Sequence, residues 1–118
     1  MTPQHDPLGP AAFLGEVLSE LAKTIDARAG ADPETSWTAT LLAGGPALTA
    51  KKLGEEGVEA ALAVAHQGDK EVANEAADLI YHLLAALRSR GVSLDAVAKV
   101  LEQRQGKSGI EEKASRKP

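Results

Sequence analysis

The chain has no cysteine. That absence excludes a disulfide scaffold, thiolate zinc, iron–sulfur clusters and thiol catalysis. Aromatic residues are almost as scarce: Phe13, Trp37 and Tyr81 are the whole complement. Any core must therefore be aliphatic, and the alternating β-branched and aromatic runs that build sandwiches and barrels are missing. No apolar run approaches the length of a membrane span, so no membrane association is expected. The first ten residues carry three prolines, His5 and Asp6 rather than an apolar stretch, so no secretory signal is expected and the cytoplasm is the expected compartment. Positive charge is also in short supply. Lys and Arg number 13 against 17 Asp and Glu, giving a formal charge of -4, which argues against a nucleic-acid partner.

What remains is a composition dominated by alanine and leucine, which favours helices. A length of 118 residues, with 43% hydrophobic and 25% charged, fits one globular domain. Residues 1–10 read as a flexible arm, 11–104 as a single all-α domain, and 105–118 as a disordered charged tail broken by Gly106 and Gly109. Five helices are expected. The first, Ala11 to Ala29, carries Leu14, Val17, Leu18, Leu21 and Ile25 at helical spacing and stops at Gly30. Asp32-Pro33-Glu34 reads as a restart before a short helix from Trp37 to Ala43, which Gly44-Gly45-Pro46 breaks. The third runs from Ala47 to Gln67. Gly68 reads as its C′ residue, and Asp69 as the N-cap of a fourth helix from Lys70 to Arg90. Gly91 ends that helix, and Ser93 caps a fifth from Leu94 to Arg104. The expected fold is an antiparallel helical bundle.

The stretch that carries chemistry is Lys51-Lys52-Leu53-Gly54-Glu55-Glu56-Gly57-Val58-Glu59, followed downstream by Glu75, Asp78 and His82. Glu56 and Glu59 are three apart and share one helix face, as do Glu75 and Asp78 on the next helix. If the third and fourth helices form a hairpin, residues level with each other are equidistant from its centre. The midpoint of the two acidic pairs falls at residue 67, the position the helix-stop signals give to the turn. The pairs therefore face each other roughly 14 Å from the turn, at about 1.5 Å of rise per residue. Glu75, Asp78 and His82 border the apolar stripe instead of lying opposite it. Converging carboxylates repel, and raised pKa values or bound divalent cations relieve the repulsion. An all-oxygen donor set suits Mg²⁺ or Mn²⁺. The competing explanation is a solvated acidic surface. A di-iron bundle would need Glu-x-x-His motifs on two helices, and these are absent.

The run K-K-x-G-E-E-x-x-E, a spacer, E-x-x-D-L-x-Y-H-L-L and then R-G-V-S-L resembles the phosphoribosyl-ATP pyrophosphohydrolases of histidine biosynthesis. These belong to the all-α, MazG-like nucleotide pyrophosphohydrolases. The resemblance spans about Asp32 to Arg104 and includes Ser36-Trp37-Thr38, where the family commonly has Ser-Tyr-Thr. Its implications are a MazG-like bundle of about five helices completed by dimerisation, and Mg²⁺-dependent hydrolysis of phosphoribosyl-ATP between the α- and β-phosphates. The same resemblance implies Glu56, Glu59, Glu75 and Asp78 as metal ligands, and Glu55 beside them is the candidate to orient or deprotonate the water. Lys51 or Lys52 would reach a phosphate, or pair with the nearby glutamates. His82 would contact substrate, or be satisfied by a neighbour. Trp37 would stack on the adenine or fill the core, and Tyr81 is expected in the core. Relatives fused to a cyclohydrolase domain use metal-binding cysteines, so this chain resembles the stand-alone form. A housecleaning nucleoside triphosphate pyrophosphohydrolase of the same fold and a non-catalytic helical dimerisation module are the alternatives; a substrate panel and a divalent-metal titration separate them.

Overall fold

The computed structural model describes residues 11–105. Among these there are five helices and no strand: α1 (Ala11–Arg28), α2 (Trp37–Ala43), α3 (Gly45–His66), α4 (Asp69–Arg90) and α5 (Leu94–Arg104). The expected arm and nearly all of the expected tail lie outside the described residues. The all-helical class holds, and the bounds of α2 and α5 are those read from the sequence. Ser36 accepts a hydrogen bond from the Ala39 amide at 3.1 Å, and Ser93 accepts one from Ala96 at 3.0 Å. Each satisfies an amide that the helix itself leaves open.

Three boundaries differ from expectation, each for a local reason. Asp32 does not restart a helix. Its carboxylate accepts from the Glu34 amide at 2.9 Å and closes a turn. The break before α3 is confined to Gly44, and α3 starts two residues early because Gly45 takes a φ of 69°, which reverses the chain within a single residue. At the other end of α3, Gly68 is not a left-handed C′ residue. Gln67 and Gly68 are both extended, and Gly68 occupies the N-cap of α4 with Asp69 already helical. Two extended residues suffice to turn α3 into α4, so no positive φ is needed there.

α3 and α4 are packed against each other as an antiparallel hairpin, with α1 and α2 against it. Among the described residues the buried apolar side chains are Ile25, Ala39, Leu41, Ala63, Leu84 and Ala85. Arg88 on α4 donates to the Asp26 carboxylate at 2.7 Å, fixing the C-terminal half of α1. The expected apolar stripe of α1 is buried only there. Phe13, Leu14 and Val17 remain exposed, Phe13 at 71%. None of the residues of α5 is buried, and an apolar groove of about 650 Å³ separates it from α1, lined by Leu18, Ala22, Leu94, Val97 and Leu101.

Candidate active site

The turn between α3 and α4 lies where the acidic spacing required it, so Glu56 and Glu59 face Glu75 and Asp78 across the hairpin. One carboxylate oxygen from each of Glu56, Glu75 and Asp78 falls within 4.8 Å of the others. Glu56 and Glu75 are half-buried, whereas Asp78 is exposed. Glu59 is not one of the three clustered groups, but its carboxylate lies close enough to Glu56 and Glu75 to perturb both. Glu55 is set apart: it is exposed and pairs with Lys52, Nζ to Oε2 at 3.4 Å.

Two oxygens at the centre have no counterpart. Oε2 of Glu56 and Oε2 of Glu75 are shielded from solvent and receive no hydrogen bond. Buried polar atoms are nearly always satisfied, so two orphaned carboxylate oxygens beside a third carboxylate mark a place for a cation or a proton. Burial pushes the Glu56 carboxyl above its usual 4.5; the Glu59 carboxylate adds to this and Asp78 adds less, while His82 opposes it. Glu75 is raised first by burial, then by Glu59 and Asp78. Raised folded-state values mean that the folded chain holds these protons longer than the unfolded chain does. Their contribution to stability is then full below about 4.5 and is lost as pH rises through the raised values. The metal-free protein is expected to lose thermal stability as pH rises above about 4.5 through the titration of these two groups, and a saturating divalent cation should flatten that slope. Differential scanning calorimetry with and without the ion measures it.

The remaining candidates sit one turn deeper in the hairpin. His82, expected on the rim, is 8% exposed. Its Nδ1–H donates to the Asp78 carbonyl at 2.8 Å, which leaves Nε2 as its other polar atom. The Tyr81 ring meets the His82 ring edge-on, with centroids 4.9 Å apart, and the Tyr81 hydroxyl shares a 2.5 Å hydrogen bond with Thr38. Tyr81 is thus partly buried, as expected, but tied to α2 through its hydroxyl. Trp37 is half exposed, and the Lys52 ammonium lies 5.7 Å from its ring centroid. Lys51 is exposed on α3. Sequence reasoning overlooked Thr38; a hydroxyl in the first turn of a short helix gave no sign of its partner 43 positions away.

Comparison with known proteins points in one direction. The family model described as phosphoribosyl-ATP pyrophosphohydrolase matches residues 18–105. A phosphoribosyl-ATP pyrophosphatase of Caulobacter vibrioides is 59% identical over 103 residues, covering 87% of this chain and 95% of that protein. One from Methylobacterium radiotolerans is 59% identical over 102 residues, covering 86% and 94%. One from Paracoccus denitrificans is 56% identical over 100 residues, covering 85% and 93%.

Proposed function

The chain belongs to the phosphoribosyl-ATP pyrophosphohydrolase family, and on that footing we infer that it hydrolyses phosphoribosyl-ATP to phosphoribosyl-AMP and pyrophosphate in histidine biosynthesis. The observation that carries the chemistry is the convergence of Glu56, Glu75 and Asp78 within 4.8 Å, with two of their oxygens shielded and unpartnered. An all-oxygen, acidic donor set of this kind fits Mg²⁺, with Mn²⁺ as an alternative. Glu56, Glu75 and Asp78 would hold the ion, with Glu59 beside them. When bound, a divalent cation neutralises phosphate oxygens and makes water a stronger nucleophile.

The chain's own residues do the rest. An acidic cleft repels a polyphosphate, so carboxylates that take up a cation convert a repulsive field into an attractive one. Glu55 accepts the proton of the attacking water. Its Oε2 is engaged by Lys52, so Oε1 is the atom that takes the proton. Lys51, exposed one turn before Glu55, reaches a phosphate. His82 presents Nε2 to the substrate or to Glu56, held at the correct tautomer by the Asp78 carbonyl. Phosphoryl transfer needs little more than positioning and neutralisation of charge, and these groups supply both. Incubation of the purified chain with phosphoribosyl-ATP and Mg²⁺, read by pyrophosphate release, tests the assignment; an unreactive, folded protein would overturn it.

The working form is a homodimer in the cytoplasm. Besides the α1 positions, Val58 and Leu62 lie one turn apart on α3 at 61% and 51% exposure, and Val64 and Leu101 are also exposed. Few side chains are buried in one copy, so a second copy offers the cover that these faces lack. Light scattering at tens of micromolar should give the mass of two chains, and a monomer would count against the dimer. No described helix is long and apolar enough to cross a membrane.

A further inference from the structure

Each residue of Ser36-Trp37-Thr38 has a separate task. Ser36 caps α2 through the Ala39 amide. Thr38 is anchored to α4 by its hydrogen bond to the Tyr81 hydroxyl. Trp37 stands between two anchored neighbours yet remains 50% exposed, so its bulk does not serve the core. Its ring faces the ammonium of Lys52, 5.7 Å from the centroid, and that ammonium lies 3.4 Å from Oε2 of Glu55. Lys52 is level with His82 about the hairpin centre at residue 67, one turn below the acidic cluster.

A solvated ion pair one turn apart on a helix fixes little by itself. Here the ammonium is held from two directions: by an indole face carried on α2 and by a carboxylate on its own helix. Lys52 is the more covered of the pair, at 30% exposure against 48% for Glu55. Partial desolvation strengthens the attraction of a cation to an aromatic face. We propose that Ser36-Trp37-Thr38 forms a clamp in which Trp37 holds Lys52 and Lys52 fixes the orientation of the Glu55 carboxylate, one residue before Glu56 on α3. The proposal rests on the reading that Glu55 takes the proton of the attacking water. Lys52 is then a positioning residue, not a phosphate ligand. Its charge is already shared between two groups, and moving it onto a phosphate would release Glu55. The clamp also gives the aromatic residue at position 37 a reason: tyrosine or tryptophan can hold an ammonium, and an aliphatic side chain cannot.

Steady-state kinetics of the full chain with phosphoribosyl-ATP and Mg²⁺ test this. Lys52→Met and Trp37→Leu should each lower kcat about tenfold while KM changes less than about twofold, as expected for lost orientation rather than lost binding. Lys52→Arg and Trp37→Tyr should restore most of kcat, because they retain a cation, a carboxylate partner and a π face. The double variant Lys52→Met/Trp37→Leu should fall no further than Lys52→Met alone, since the indole acts through the ammonium. Trp37 is the only tryptophan. Its emission should therefore change in Lys52→Met without substrate, and this readout needs no turnover. Circular dichroism verifies folding. Should Trp37→Leu fail to fold, the Lys52→Met and Lys52→Arg pair with the emission change carries the test.

A rise in KM with kcat intact in Lys52→Met makes Lys52 a phosphate ligand and overturns the clamp. Multiplicative losses in the double variant overturn it as well. Glu55→Gln separates the clamp from the reading beneath it. If Glu55→Gln turns over like wild type, the role of Glu55 is wrong. If it loses about 10²–10³-fold while Lys52→Met and Trp37→Leu lose nothing, the clamp alone is wrong.

Discussion

Replacing Glu56 with glutamine is expected to abolish most turnover while leaving the metal-free fold as stable as wild type or more so. Two consequences of one charge have opposite signs. In the metal-free protein the Glu56 carboxylate is half-buried, one of its oxygens has no donor, and it faces Glu59 and Asp78. An amide of nearly the same shape removes a like charge and brings a donor to its acidic neighbours. Solvent screening at a half-buried site limits the gain to about 1 kcal/mol or less. With Glu56 holding the cation as proposed, the same substitution removes one of its ligands, and kcat/KM should fall roughly 10²–10³-fold. Added Mg²⁺ should raise the thermal midpoint of wild type by mass action and that of Glu56→Gln much less. Asp78→Asn should share the loss of activity. A solvated acidic surface would give small stability changes of either sign, equal responses to Mg²⁺ and full activity. Glu56→Gln destabilised without metal yet fully active would sink the metal-site reading.

Leu41→Ala is expected to be the most damaging single change to the fold. Leu41 is 0% exposed in the middle of α2, and the other buried apolar side chains of the described residues are Ile25, Leu84 and three alanines. Truncation loses the transfer energy of the removed carbons and leaves a void that this small, alanine-rich core has few large side chains to fill. Losses of about 2–5 kcal/mol are usual for such sites. Alanine is the better helix former, so the loss cannot be assigned to helix propensity. For a domain of this size the thermal midpoint should drop by about 10 °C or more. Because α2 carries Trp37 and Thr38, activity should fall before the protein melts. Scanning calorimetry at two protein concentrations measures the loss and reveals any coupling to dimerisation. A shift of less than about 2 °C would show that α2 is not seated as described.

The helices and their partners across the hairpin were legible in the sequence because both depend on local rules. Ser36 and Ser93 cap because a hydroxyl before a helical run meets an open amide, and Gly91 stops α4 in the left-handed conformation, with a φ of 69°. The facing of Glu56 and Glu59 on Glu75 and Asp78 follows from helical periodicity and one turn position, so an acidic centre was readable from spacing alone. The family likeness was legible in the same residues, since the spacing that brings the acids together is the motif itself.

What spacing could not provide was depth and direction. Periodicity places Glu55, Glu56 and Glu59 on neighbouring azimuths of α3, but only packing against α4 decides that Glu56 and Glu75 each lose an oxygen to the interior while Glu55 stays outside. His82 was expected on the rim and is buried, a depth that periodicity along α4 cannot give. The apolar stripe of α1 likewise divides: Ile25, beside the Asp26–Arg88 pair to α4, is buried, while Phe13, Leu14 and Val17 stay exposed. The sequence around Lys52 is equally compatible with a free phosphate ligand. Its partner Trp37 lies on another helix, and the distance between them depends on where α2 docks. Local patterns are fixed by bonded geometry and short-range hydrogen bonds, which each segment carries with it. Burial, orphaned oxygens and cation–aromatic contacts arise only between segments, so they were decided by the tertiary structure.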